Sequence, residues 1–285
     1  MGECRLCPRE CGVDRSVRVG YCGASDRIRV AKYMLHFGEE PCISGKRGSG
    51  AIFFSGCNMR CAFCQNYPIS HGLKGEDITA ERLREMMFEL KAAGAHNINL
   101  VTGTHFADRI ADVLRECRSE LGIPVVYNCG GYENVETLKM LDGLVDIYLP
   151  DLKYYSTELS ARYSSAPDYF ERAFPALKEM LRQQPRAEFD GDIMTSGVIV
   201  RHLVLPKAYR DSMTLMEKIA ELPDRPLVSI MRQYTPCYDA ERFPEINRKL
   251  TSFEYEKVID RCAELGLEGF TQLKGCDTLD MTPDF

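Results

Sequence analysis

Cys57, Cys61 and Cys64 form a C-x3-C-x2-C run, Gly56-Cys57-Asn58-Met59-Arg60-Cys61-Ala62-Phe63-Cys64, directly behind the apolar stretch Ala51-Ile52-Phe53-Phe54. A short unbroken apolar run bounded by turn residues reads as a buried strand, which sets the three thiols on the loop at its C-terminal end. The count of three constrains what this loop can hold. A cubane iron–sulfur cluster has four irons and is normally held by four thiolates. Three local ligands therefore leave one iron open to bind and activate another molecule. A zinc site would need a fourth ligand nearby, and the mixed spacing suits the C-x2-4-C zinc pairs less well.

The chain has 285 residues, the size of one α/β-barrel domain or of a domain with a small appendage. Its net charge of -6 argues against nucleic acid as the main partner, because a phosphate-binding surface needs a basic patch. Only the local group Lys46, Arg47 and Arg60 runs against that trend. No apolar run is long enough to span a bilayer. The start, Met1-Gly2-Glu3-Cys4-Arg5-Leu6, lacks the apolar core of a signal peptide and the Ser or Thr of a myristoylation motif. Thirteen cysteines are present, and their clustering near the N-terminus without an export signal favours metal binding over disulfides, hence a reducing cytoplasm.

Residues 1–50 read as a Cys-rich metal-binding extension and lead-in, and 51–285 as the main domain. Within the extension, Cys4-x2-Cys7-x3-Cys11-x10-Cys22 offers four thiolates for a closed zinc site or a second cluster. So short a segment has little apolar material to bury, and a metal would explain how it folds. From residue 51 onward, strand-like runs at Ile52–Ser55, Ile98–Thr102, Val125–Asn128, Val145–Leu149, Val198–Val204 and Leu227–Met231 alternate with helical patterns at Thr79–Ala93, Ala107–Leu121, Asn134–Leu141, Tyr169–Leu181, Asp211–Leu222 and Thr251–Leu265. A further short strand is expected at Gly269–Leu273. Such alternation implies a parallel sheet, either an open doubly wound one or a partial barrel.

The cysteine loop, with the aromatic Phe63 just before its last cysteine, resembles the radical S-adenosylmethionine (radical SAM) superfamily. The run from Glu40 through Gly48-Ser49-Gly50 and Phe53-Phe54-Ser55-Gly56-Cys57 to Cys64-Gln65-Asn66 resembles the activating enzymes of pyruvate formate-lyase. The closest likeness is to their poorly characterised relatives with a Cys-rich N-terminus. This resemblance, not the periodicity, selects a partial (β/α)6 barrel of the radical SAM type. It implies an oxidoreductase with a [4Fe-4S] cluster on Cys57, Cys61 and Cys64 and S-adenosylmethionine on the open iron. Cleavage would yield a 5′-deoxyadenosyl radical for hydrogen abstraction. It also implies a one-electron donor such as flavodoxin or ferredoxin.

Ligands of parallel α/β folds gather where the strands end, so the residues after each strand are the site candidates. Phe63 matches the family position whose backbone approaches the adenine, or its ring simply packs under the loop. The second strand ends in Thr102-Gly103-Thr104-His105 where the family usually shows Gly-Gly-Glu. Gly103 keeps close backbone approach available, and His105 is a candidate proton donor or a helix cap. Asn128 lies where relatives place a polar contact to the cofactor, whereas Cys129 reads as packing. Asp151-Leu152-Lys153 resembles the Asp-x-Lys signature of glycyl-radical activases. Its acid and base share one face of an extended segment, as catalytic and cofactor-binding groups or as an exposed ion pair. Arg201 and His202 interrupt an apolar strand, an inconsistency of the kind that marks sites. Arg201 suits a carboxylate or ribose, and His202 points the other way. Gln233-Tyr234-Thr235-Pro236 is a candidate wall of the substrate pocket. Cys42, Cys117, Cys237, Cys262 and Cys276 default to small core residues. The competing class is a non-catalytic iron–sulfur electron carrier or structural metalloprotein, in which the long α/β region would have no purpose. The substrate, protein or small molecule, is open.

Overall fold

The computed structural model describes residues 3–273, 275 and 283–285; Cys276 lies outside them. Among the described residues, ten strands are formed: β1 Ile28–His36, β2 Ser49–Phe54, β3 Glu76–Ile78, β4 Ile98–Val101, β5 Val125–Cys129, β6 Ile147–Pro150, β7 Glu188–Asp190, β8 Ile193–Leu203, β9 Leu227–Met231 and β10 Gly269–Thr271. β2, β4, β5, β6, β8, β9 and β10 run parallel in that order, which is the partial (β/α) barrel expected from the sequence. Parallel neighbours need helical crossovers. These are supplied by Ala80–Ala92, Ala107–Leu121, Val135–Lys139, Tyr169–Gln183, Tyr209–Ala220 and Ser252–Glu264.

Local chemistry accounts for these elements. Every residue of β2 is buried, as a central parallel strand requires. Thr79 caps Ala80–Ala92 by accepting from Arg82 N, and that helix turns Leu83, Met86, Met87 and Leu90 onto the sheet. Thr251 and Glu254 form a reciprocal capping box at the start of Ser252–Glu264.

Two features were not legible in the sequence. β1 lies within residues 1–50, yet it pairs antiparallel along β2, so the sheet begins ahead of residue 51. β8 starts five residues before the expected Val198, and its extra length forms a hairpin with β7. Polar Thr195 and Ser196 hide that extension from an apolar-run reading.

Candidate active site

The C-terminal strand ends open onto one cavity of about 230 Å³, and the cysteine loop forms one side of it. Cys57, Cys61 and Cys64 all line this cavity. Each sulfur meets a hydrogen-bonding group: Met59 N donates to Cys57 Sγ (3.4 Å), Ser164 Oγ donates to Cys61 Sγ (3.0 Å), and Ser70 Oγ lies 3.2 Å from Cys64 Sγ. Ser164 is itself buried against the Tyr154 hydroxyl at 2.8 Å. Burial pushes all three thiols up, Cys64 to about 12, while the Lys153 ammonium pulls in the other direction. Metal ligation requires their deprotonation. Donors aimed at sulfur and a cation close by are the features that favour thiolate, so the residues fit an iron–sulfur cluster.

Across the cavity stands a wall of buried charge. Arg201 Nη1 lies 3.1 Å from Glu39 Oε2, and its Nε lies 3.2 Å from Glu40 Oε1. Glu39 Oε1 also accepts from Asn99 Nδ2 (2.9 Å) and Asn128 Nδ2 (3.3 Å). Lys153 donates to Asp151 beside them. Burial alone would lower Lys153, but Asp151 and Cys61 outweigh it and hold its ammonium charged. Arg201 is likewise held charged by Glu40, Glu39 and Asp151 against the cost of burial. Glu39, Asp151, Lys153 and Arg201 line the cavity, while Glu40 pairs with Arg201 from outside that lining.

The backbone carrying Asp151 and Lys153 is fixed by Tyr169. Its hydroxyl accepts from Lys153 N (3.0 Å) and lies 2.9 Å from the carbonyl oxygens of both Gly130 and Asp151. A Cβ at Gly131 (φ +76°) would lie 2.0 Å from the Asp151 oxygen, so only glycine allows the two loops to touch.

Asn128, Asp151, Lys153, Arg201, Phe63 and Gln233 all line the cavity. The Phe63 ring packs edge-on to Tyr234 at 5.8 Å, and Tyr234 donates to Ile246 O. Arg201 is present but differs from expectation, because Glu39 and Glu40 already occupy its guanidinium fork. Gly103 and His105 need correction. Gly103 does not line the cavity; a Cβ there would meet Ile110 Cδ1 at 2.7 Å, so it serves helix packing. Thr102 faces the cavity in its place, with φ +60°, a conformation that costs a β-branched residue energy. His105 is buried outside the cavity lining, with Nε2 2.8 Å from Ser55 O, and burial lowers it to about 4. It braces the turn into the cysteine loop rather than handling substrate. His202 points away as expected, to Leu152 O and Ser212 Oγ. Cys42, Cys117, Cys129 and Cys262 are buried, and Cys237 donates to Phe63 O.

Sequence reasoning passed over Glu39, Glu40, Ser70, Ser164 and Tyr169. The Glu39-Glu40 pair ahead of Pro41 is the one signal that was available, since two acids in a Gly-rich lead-in are otherwise unexplained. The serines and the tyrosine lie on elements whose proximity only folding creates.

Residues 51–207 match the family model of the radical SAM superfamily. The chain is 32% identical over 277 residues to an uncharacterized protein of Methanocaldococcus jannaschii, covering 93% of this chain and 76% of that protein. It is 28% identical over 114 residues to 3-methylornithine synthase of Methanosarcina acetivorans, covering 38% of this chain and 32% of that enzyme. Among solved structures, methylornithine synthase has a similar fold, with a TM-score of 0.52 at 18% identity over 75% of this chain and 63% of that one. Among the described residues, no helix is long and apolar enough to cross a membrane.

Proposed function

Since the chain belongs to the radical SAM superfamily, we propose that it cleaves S-adenosylmethionine reductively at the Cys57/Cys61/Cys64 loop to start hydrogen abstraction from a substrate in the adjoining cavity. The observation that carries this reading is the pairing of a three-thiol loop with a set of buried, ion-paired charged residues lining the same cavity. When bound, the cluster and cofactor would supply the reductive cleavage that yields a hydrogen-abstracting radical. This chain's residues do the rest. Cys57, Cys61 and Cys64 would hold the cluster through three thiolates and leave room for the cofactor. Met59 N, Ser164 and Ser70 hold the sulfurs in place. The sulfonium of S-adenosylmethionine is a positive charge that the Glu39 and Asp151 carboxylates lining the cavity complement. Lys153, fixed by Asp151 and by the Tyr169 hydroxyl, presents its ammonium toward the thiols and the cofactor carboxylate. Phe63 closes the cavity beside Tyr234 and excludes water.

In its narrower form the reading is activation of a glycyl-radical enzyme, supported by Asp151-x-Lys153. The reaction takes its electron from a flavodoxin or ferredoxin class donor in the cytoplasm. The Cys4/Cys7/Cys11/Cys22 quartet holds a metal of its own. Anaerobic, reduced protein is expected to yield methionine and 5′-deoxyadenosine from S-adenosylmethionine, and a Cys57/Cys61/Cys64→Ala triple variant to yield neither. Intact cluster without those products would overturn the reading. An electron-spin signal of a glycyl radical in a co-incubated partner tests the narrower form.

A further inference from the structure

The N-terminal cysteine segment does not stand apart from the catalytic loop. Cys57 N donates to Cys22 O at 3.3 Å, so a residue of the quartet and a residue of the trio are joined by one hydrogen bond. Gly56 makes this contact possible: with φ +91°, its missing Cβ would lie 2.6 Å from that same oxygen. Cys22 and Cys57 also line one small cavity of about 80 Å³ with Ser70 and His71.

Two arginines lock the segments further. Arg9, two residues after Cys7, donates to Asn58 O (2.8 Å) and Ser165 O (2.6 Å). Arg60 of the loop donates to Tyr21 O (3.3 Å), and the Tyr21 ring lies between the two guanidinium groups at 4.2 and 4.7 Å.

The quartet has the backbone geometry of a metal knuckle. The N–H two residues further on bears on sulfur at three positions: Arg9 on Cys7, Val13 on Cys11 and Ala24 on Cys22. Cys4 bears on Cys11 as well, and a Cβ on Gly20 would meet Cys22 Sγ at 3.3 Å and Cys11 Sγ at 3.5 Å. Cys11 and Cys22 thus meet at Gly20, with Cys4 against Cys11. Among the described residues, no three His, Cys, Asp or Glu side chains are disposed to hold a single metal ion. What favours a redox-active multi-iron centre over one zinc is the direct backbone contact of Cys22 with Cys57 of the catalytic loop.

We propose that Cys4, Cys7, Cys11 and Cys22 hold a second iron–sulfur cluster, and that electrons reach the catalytic loop through it. An external one-electron protein donor reduces the quartet centre by one electron. That centre is then oxidised by one electron as the centre on Cys57, Cys61 and Cys64 is reduced by one, and no protein bond forms or breaks. The route from Cys22 to Cys57 crosses a single hydrogen bond. The electron-entry half rests on the function proposed above; the metal half does not.

Iron, sulfide, zinc and electron-spin measurements on anaerobic wild type, the Cys57/Cys61/Cys64→Ala triple variant and a Cys4/Cys7→Ser double variant decide both halves. Wild type is expected to hold about eight irons and each variant about four, as two cubanes require. The triple variant should keep a reducible electron-spin signal, and the reduced wild type should show mutual broadening that both variants lose. Zinc in the triple variant, or a folded triple variant free of iron, overturns the metal half. In the double variant, turnover driven by flavodoxin is expected to fall about tenfold or more, while S-adenosylmethionine still perturbs the remaining electron-spin signal. Unchanged flavodoxin-driven turnover overturns electron entry. If wild type cleaves no S-adenosylmethionine under any reductant, the proposed function fails, and the iron count still decides the quartet. Should the double variant not fold, Gly56→Ala provides the second route, with both clusters expected present and flavodoxin-driven turnover lowered more than turnover driven by dithionite. Equal effects on the two would overturn the contact-mediated path.

Discussion

Glu133 is 1% exposed and has no cationic partner; it accepts from Thr104 Oγ1 (2.6 Å) and from the Tyr127 hydroxyl (3.3 Å). Burial pushes its carboxyl from 4.5 up to about 7, and the neutral donors Thr104, Tyr127 and Cys129 recover only part of that cost. A raised value means that the unfolded chain gives up this proton first. The stabilising contribution is therefore complete below pH 4.5 and is lost as pH rises through about 7. The difference between the two values corresponds to about 3 kcal/mol. Because the group is fully buried, solvent screening takes little from that figure. Glu133→Gln is neutral at every pH, so its stability relative to wild type should climb by that amount between pH 4.5 and 7.5. His105 and His202, lowered by burial to about 4, act in the opposite sense: their contribution is present above 6.5 and lost as pH falls through 4. Both proteins carry them, so they cancel in the comparison. The assay is a matched pair of anaerobic thermal melts at pH 5, 6, 7 and 8. The gap between variant and wild type should widen by roughly 5–10 °C toward pH 8. A gap that stays constant across the series would refute the reasoning.

Gly131→Ala should cost more than about 4 kcal/mol, because its Cβ would collide with the Asp151 carbonyl from a left-handed backbone; a melt within a degree or two of wild type would contradict this. Arg201→Ala leaves Glu39 and Glu40 buried without their cation and should cost about 3–5 kcal/mol, read by denaturant unfolding. Ser164→Ala removes the donor to Cys61 Sγ, worth on the order of 1 kcal/mol. It should lower the reduction potential of the loop-bound cluster, and an unchanged potentiometric midpoint would count against that contact.

Periodicity carried most of the architecture. All seven parallel strands appear near their expected places because a strand buried on both faces must be largely apolar, as Ile98–Val101 and Leu227–Met231 are apart from Asn99 and Ser229. The cysteine spacing made the three-thiol loop readable, since ligands on one loop must be close in sequence. The opposing wall obeys no such constraint. Arg201 and Glu39 are 162 residues apart in number, and Ser164 reaches Cys61 from a separate helix. Gly103 was misassigned because a glycine after a strand looks alike whether it faces a ligand or a helix; the path of Ala107–Leu121 past it decided the matter. Residue type showed that His105 can titrate, while only its burial on Ser55 O shows that it does so near 4 and keeps it out of the cavity lining. The chain's local pattern thus determined the strand–helix alternation and the metal-binding loop, because both depend on neighbours in sequence. Tertiary structure alone decided which charges face that loop and that Cys22 touches Cys57, because desolvation and pairing depend on groups that meet only when the sheet closes around them.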